Sequence, residues 1–321
     1  MLAFADPGAP TIALDEIPHP GTLRCVAISD GRFDVVNHVL VESYLPGVLA
    51  GELYSHWKPT TFASQAIAAR SFACAERVIF ARTRHYDLVN TAASQMYVGS
   101  AAERRPHDAV EATRGVVLSY ADALVPGYYS SCCGGRAAAA PDAIGSHPLN
   151  TLPPLQGRDL PDVCGNAPLY RWKMERSKDD VVRRIAAWGR SRKSEDAGAV
   201  RSLAGVDVEE VNPHGRPRRY RVRSTKGDGV VLDAEDLRQA VDYSTGGMSA
   251  PARRLWSAYL EIDVGRTRVE FAGRGHGHGV GLCQYGAEEL AQNGRTFEEI
   301  LAWYYPSVRL TQAFGGSLAA R

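Results

Sequence analysis

Five glycines alternate with other residues between positions 273 and 281, in GRGHGHGVG, and His276 and His278 stand among them. Glycine at that spacing suits neither strand nor helix; it marks backbone at positive φ, or a close approach by another chain or a ligand. Three chemistries use such a loop. A phosphate cradle needs a βαβ unit early in a parallel sheet and an acidic residue about twenty positions on. This loop lies near the C-terminus with a different glycine spacing, which argues against a cradle. A metal pair at His276 and His278 wants further ligands and partners behind them, but neither HExxH nor CxxC accompanies it and only Cys283 is nearby. The remaining reading is a close-packed loop that presents His278, Gln284 and Tyr285 to a large substrate.

The cysteines are the second reactive set. None of the six forms a CxxC pair: Cys132 and Cys133 are adjacent, Cys164 follows, and Cys25, Cys74 and Cys283 stand alone. Residues 142–166 are rich in proline and glycine without apolar periodicity, so they read as a long loop in need of a staple. Pairing Cys164 with Cys133, or failing that Cys132, closes roughly thirty residues and is worth about 3–4 kcal/mol in the chain-entropy model. Such a bond implies an oxidising compartment.

The elements that must position these groups can be read in outline. LRCVAI and FDVVNHVLVESYL read as strands, the second running into a helical segment through Tyr44–Tyr54. The surest helix is KPTTFASQAIAARSFACAERVIFA, with Pro59 in its first turn and apolar residues at i+3/i+4 spacing. A hairpin is expected around Ala121–Asp122, an amphipathic helix over Ser177–Arg190, and strand-and-turn alternation through 199–241 with turns at His214–Gly215 and Gly227–Gly229. Another hairpin turns at Gly265 and feeds the glycine run. Two helices close the chain, Ala287–Asn293 and Phe297–Tyr305, the second with a capping box at Thr296 and Glu299.

The 321 residues suffice for a full core. With 37 Lys+Arg against 36 Asp+Glu, no global field favours nucleic acid, and the basic run HGRPRRYRVRSTK reads as a hairpin with a solvated face. No stretch has the roughly 18–20 apolar residues of a membrane span. The N-terminus lacks a basic region followed by an apolar core, so no signal peptide is expected in this chain; the protein is then cytoplasmic, or its leader is missing from this sequence.

The glycine run with its sequel, GRGHGHGVGLCQYGAEELAQNGRTFEEILAWYYP, resembles the C-terminal signature of the SpoIID/LytB family of peptidoglycan enzymes, which reads GRGxGHGVGxSQYGA and ends ILxxYYPG. Upstream, VESYLPGVLAGEL is similar to the family's YLxGVVxxEM segment, SQAIAARSFA to AQAVAARTYA, TAASQMYVG to SDQVYxG, and GYYSSCCGG to YHSxxGG. The matches run in order from about Val41 to Pro306, with a poorly matching middle from Lys178 to Val230. Departures are Leu53 for methionine, Ala63 for a frequent lysine and Cys283 for serine. Some members hold zinc through histidines and cysteines after YHSxxGG; here Tyr129 replaces that histidine and the following loop offers only His147.

What the resemblance implies is a lytic transglycosylase that cuts MurNAc–GlcNAc strands, preferring those stripped of peptide, with Glu52 at the family's catalytic position. One carboxyl group suffices when the sugar's own C6 hydroxyl replaces water as nucleophile, whereas hydrolytic glycosidases need two. Such an acid wants an apolar setting, which Leu49, Leu53 and Trp57 are near enough to supply. Gln65, Arg70, Gln95, Tyr97, Ser130, His278, Gln284 and Tyr285 match positions expected to bind substrate or orient the acid. Five residues apart on one helix, Gln65 and Arg70 point about 140° apart, so one is expected to line the cleft and the other to anchor a neighbouring loop.

No cofactor is expected, zinc included, and no metal ligand. The implied partners are glycan strands and a cell-wall amidase, and the implied location is the cell envelope, outside the cytoplasm. The rival reading is a non-catalytic glycan-binding module that enhances an amidase. A second rival is a metal-dependent hydrolase using His276 and His278. The expected fold is α+β, mixing helices with antiparallel sheets: an extended leader over 1–21, a catalytic domain over 22–176 and 250–321, and a smaller inserted helix-plus-hairpin α/β subdomain over 177–249.

Overall fold

The computed structural model describes residues 2–4, 11–158, 161–227 and 229–314. Parts of the expected leader (1 and 5–10), loop positions 159–160, turn residue Asp228 and positions 315–321 lie outside them. The fold is α+β: helices alternate with several small, mainly antiparallel sheets. Two compact units form, one from residues 1–128 with 290–321 and the other from 129–289. Among the described residues no helix is long and apolar enough to cross a membrane.

The first unit is built around two helices. Helix α1 spans Val41–Glu52 and α2 spans Pro59–Phe80. Pro59 opens α2 at a position where a missing N–H costs nothing, and its alanine-rich face lets neighbours approach closely. Leu45, Val48 and Leu49 of α1 are buried, as are Phe62, Ala66, Ile67 and Ala69 of α2. A third helix, α3 (Arg104–Ala112), packs on both. Strands Thr22–Ser29 and Arg32–His38 pair antiparallel, and Thr11–Leu14 pairs with Ile17–Pro20 as a short hairpin. The turn expected at Ala121–Asp122 is present, both residues at positive φ (45° and 63°). It joins Val116–Tyr120 to Ala123–Leu124, and Arg309–Gln312 completes that sheet. The capping box at Thr296 and Glu299 opens the last helix, Phe297–Tyr304.

The second unit has its own core. Strands Arg171–Ser177, Arg268–Arg274 and Leu260–Val264 form one antiparallel sheet, and Gly205–Val211, Pro217–Arg223 and Gly229–Asp233 form another. The helix Lys178–Ser191, N-capped by the Ser177 hydroxyl, packs Val181, Ile185 and Trp188 against them. The loop 142–166 is broken into short helical turns at Ala140–Ala143, Pro148–Thr151 and Pro153–Leu155.

Candidate functional site

Glu52 is the last residue of α1, half-buried, and its Oε1 accepts the Met96 N–H at 2.9 Å. Small residues one turn apart on α1 allow this. A Cβ on Gly47 would stand 1.9 Å from the Gly99 carbonyl oxygen, and one on Gly51 2.8 Å from the Met96 carbonyl oxygen. The segment 96–99 therefore lies directly on the helix and brings its backbone to the carboxyl group. Leu49, Leu53 and Trp57 are all buried, while Tyr54 is 54 % exposed with its ring 5.2 Å from that of Trp57.

Gln95 and Tyr97 flank Met96 and tie the same segment down. The Tyr44 hydroxyl donates to Gln95 Oε1 (3.1 Å), and Gln95 Nε2 donates to the Ala69 carbonyl (3.2 Å). The Tyr97 ring lies 4.7 Å from that of Tyr44, and its hydroxyl donates to Asn37 Oδ1 at 3.1 Å. Burial pushes the Tyr97 phenol up to about 12, and burial, then Tyr97 and Glu52, raise Tyr44 as well. Both stay neutral donors at any physiological pH. A groove of about 1120 Å³ passes Tyr44 and Tyr97 and is rimmed by Asp34, Glu42, Arg77 and His85; Glu52 is not among its lining residues.

Arg70 and Gln65 take different surroundings on α2, as their angular separation requires. Arg70 is completely buried; it meets both oxygens of Glu42 at 2.8 Å and donates to the carbonyls of Val116 (3.1 Å) and Val110 (3.3 Å). It is an anchor that fixes α1 against α2, α3 and the start of the strand that follows. Gln65 is equally buried, and its amide has no hydrogen-bond partner among the described residues.

In the second unit the glycine loop lies on the 129–135 turn. Leu282–Cys283 pairs parallel with Tyr129–Ser130, and Cys132 and His276 exchange backbone hydrogen bonds of 3.1 and 2.8 Å. Gly277 (φ 99°) and Gly279 (φ 77°) each adopt a conformation that L side chains rarely take. A Cβ at Gly277 would stand 2.7 Å from Ser130 Cβ, and one at Gly279 2.6 Å from an Arg216 nitrogen. Ser130 is buried with its hydroxyl lacking a partner among the described residues; Gln284 is buried, and Tyr285 donates its backbone N–H to the Ser131 carbonyl.

The two histidines have separate surroundings. His278 Nδ1 accepts the Val280 N–H at 3.0 Å, which leaves the proton on Nε2, and the Tyr129 backbone hydrogen-bonds the ring. Burial, then the nearby Arg216 guanidinium, push its pKa down to about 4. The His276 ring instead stacks edge-on against Trp256, 4.8 Å between centroids, and burial lowers its pKa too. The Arg216 side chain, inside the run read from sequence as a solvated face, is buried: it donates to the carbonyls of Cys133 (2.7 Å), Arg136 (2.9 Å) and His278 (3.2 Å).

Cys133 and Cys164 are brought together but not joined. Their sulfurs are 3.6 Å apart, and Cys132 is equally near Cys164 at 3.5 Å, all as free thiols. A disulfide needs about 2.05 Å, and with Cys283 also inside the cluster no single partner is selected for Cys164.

Sequence reasoning missed the packing role of Gly47 and Gly51, although a four-residue glycine spacing on one helix face was a visible sign. It also missed Tyr44 and the buried Arg216, which nothing in a basic run distinguishes from its neighbours.

These arrangements can be set beside known proteins. The family model for stage II sporulation protein matches residues 29–120, the stretch that carries Glu52, Arg70, Gln95 and Tyr97. An uncharacterised protein of Brachyspira hyodysenteriae is 27 % identical over 92 % of this chain and 73 % of its own length. The stage II sporulation protein D of Bacillus subtilis is 23 % identical over 87 % of this chain and 76 % of its own length. The amidase enhancer of Bacillus subtilis is 24 % identical over 83 % of this chain, which spans only 40 % of that larger protein. The ordered motifs, the matched stretch 29–120 and these relatives agree in their similarity to the SpoIID family of stage II sporulation proteins.

Proposed function

We propose that the chain is a lytic transglycosylase of peptidoglycan glycan strands, working outside the cytoplasm, with Glu52 as its single general acid and base. The observation that carries this reading is the placement of Glu52: a carboxyl at a helix end, oriented by the Met96 N–H, with its chain neighbours Leu49, Leu53 and Trp57 buried and an exposed aromatic two residues on. An exposed tyrosine face suits the apolar face of a pyranose ring. Glu52 would first protonate the glycosidic oxygen as that bond breaks. The C6 hydroxyl of the MurNAc residue then attacks its own anomeric carbon, and Glu52 takes the hydroxyl proton. The products are a new GlcNAc end and a 1,6-anhydro-MurNAc end, with no water consumed.

Gln95 and Tyr97 act in this scheme by holding the 95–97 segment against α1, and Arg70 by fixing the helix itself. Gln65 keeps a buried amide available as a positioning group. Ser130, Gln284 and Tyr285 belong to a loop that orients or contacts glycan, and His278, engaged at Nδ1 and by the Tyr129 backbone, serves that loop by holding its shape.

A second reading draws on the relative named an amidase enhancer: a glycan-binding module that recruits or stimulates a cell-wall amidase without cutting. Mass spectrometry of denuded glycan strands incubated with wild type and with Glu52→Gln decides between them. The enzyme reading expects 1,6-anhydro ends that fall at least 10²-fold in the variant, since general acid catalysis is worth about 10²–10⁴. Strands left intact by the wild type, alongside faster amidase action, would favour the enhancer.

A further inference from the structure

We propose that Cys132, Cys133, Cys164 and Cys283 form a structural tetrathiolate site for one zinc ion. The sulfurs of Cys132, Cys164 and Cys283 lie within 4.8 Å of one another; Cys133 stands outside that trio, but its sulfur reaches Cys164 at 3.6 Å and its N–H points at Cys283 Sγ (3.4 Å). Four sulfurs about 2.3 Å from a tetrahedral zinc sit about 3.8 Å apart. The observed separations of 3.5 and 3.6 Å are within a few tenths of that edge. Exposure of the four residues runs from 0 to 8 %, as a closed structural site requires.

The surroundings supply what such a centre needs behind its ligands. Backbone N–H groups of Gly134 and Gly135 face the sulfurs of Cys132, Cys133 and Cys164. Asp162 accepts the Cys164 N–H at 3.0 Å and fixes that ligand's loop. On binding, the four thiols release four protons to solvent, and Zn²⁺ with four thiolates carries a net charge of −2. Arg216 is buried beside this cluster with carbonyl partners and no salt-bridge carboxylate among the described residues. A dianionic centre would offset that guanidinium, whose burial is otherwise costly.

The ligands come from three separate segments: the 129–135 turn, the far end of the proline-rich loop, and the exit of the glycine run. The histidine-and-cysteine zinc set found in some relatives does not fit here, because Tyr129 replaces its histidine and His147 accepts the Leu149 N–H at the start of a helical turn. A four-sulfur centre would staple the 142–166 loop, the task the sequence had assigned to a disulfide, and would do so in reduced protein.

The test uses the full chain purified under reducing conditions, with metal content measured by mass spectrometry and Co²⁺ used as a spectroscopic probe. One zinc per chain is expected, together with a strong thiolate-to-cobalt charge-transfer band in the near ultraviolet when Co²⁺ is added to metal-free protein. Cys164→Ser and Cys283→Ser should each weaken the band by about a quarter and lower zinc affinity at least tenfold, while Cys25→Ser and Cys74→Ser leave both unchanged. If the ligand variants do not fold, the wild-type stoichiometry and cobalt spectrum decide alone. Less than a tenth of a zinc per chain with no charge-transfer band, or a mass two hydrogens lighter that marks a Cys133–Cys164 or Cys132–Cys164 bond, overturns the proposal.

Discussion

The guanidinium of Arg70 meets the carboxylate of Glu42 through two hydrogen bonds of 2.8 Å, with the arginine wholly buried and the glutamate nearly so. Because Arg70 also donates to carbonyls of two other elements, Val110 in α3 and Val116 at the start of the next strand, removing it strands several buried groups at once. Arg70→Met should destabilise the first unit by about 3–5 kcal/mol, the cost of breaking a buried pair from one side. Arg70→Lys should recover only part, since a single ammonium cannot serve a bidentate geometry. Urea denaturation of the variants measures both; a loss below about 1 kcal/mol for Arg70→Met would show that the pair is not an anchor.

Gly47 and Gly51 separate stability from catalysis. Gly47→Ala drives a Cβ into the Gly99 carbonyl and should lower stability by roughly 1–3 kcal/mol through overpacking. Gly51→Ala meets the Met96 carbonyl less severely, and shifts the N–H that orients Glu52. A displacement near 1 Å can cost about 10²-fold in rate, so Gly51→Ala should lose more glycan-cleaving turnover than melting temperature. Turnover per folded molecule unchanged in Gly51→Ala would sink this reading.

His278 gives the second unit a pH dependence of known sign. Its folded pKa, about 4, lies below the ordinary histidine value of 6.5, so the unfolded chain binds the extra proton between those values. Stability from this group is complete above about 6.5 and falls steadily as pH drops towards 4, where the loss levels off. At about 1.4 kcal/mol per unit the loss is at most about 3.5 kcal/mol. The checking measurement is the urea midpoint at pH 7.5 and 4.5 for wild type and His278→Gln: the variant should lose less over that interval, and equal losses would remove His278 from the account.

Gly279→Ala should damage the loop more than Gly277→Ala. At 279 the new Cβ meets the Arg216 head, a side chain pinned by three carbonyls; at 277 it meets the Ser130 side chain. Each also incurs roughly 1 kcal/mol or more for a Cβ at positive φ. Thermal melting of the two variants, read beside glycan turnover, checks the order; equal melting temperatures would show that Arg216 yields freely.

The elements were legible wherever one face had to be buried. The α2 helix, the Ala121–Asp122 turn and the Thr296 cap all follow from local rules, because apolar spacing, turn chemistry and capping act within a few residues. The final helix pair was nearly so, except that the helix before Gly294 begins at Gln284, three residues earlier than expected. What could not be read were pairings between distant segments. Nothing near Cys283 announces that it will meet Cys132 and Cys164, and nothing in PRRYRVR separates the buried Arg216 just before it from the half-buried and exposed arginines that follow. Glu52 stood out only through resemblance to a family, whereas its orientation by Met96 depends on the absence of side chains at Gly47 and Gly51.

The first unit takes its last helix and the edge strand Arg309–Gln312 from the far end of the chain, with the whole of 129–289 synthesised in between. On the ribosome, residues 1–128 must wait with strand Val116–Tyr120 unpaired on that edge, while the contiguous second unit can close on itself first. Closing so long a span carries a loop entropy that grows only slowly with length, so the delay is kinetic rather than a large equilibrium cost. An exposed strand edge during that wait is a template for association with other chains. Overproduction of this protein should therefore be limited by aggregation of half-made chains, and relieved by slower synthesis or added chaperone.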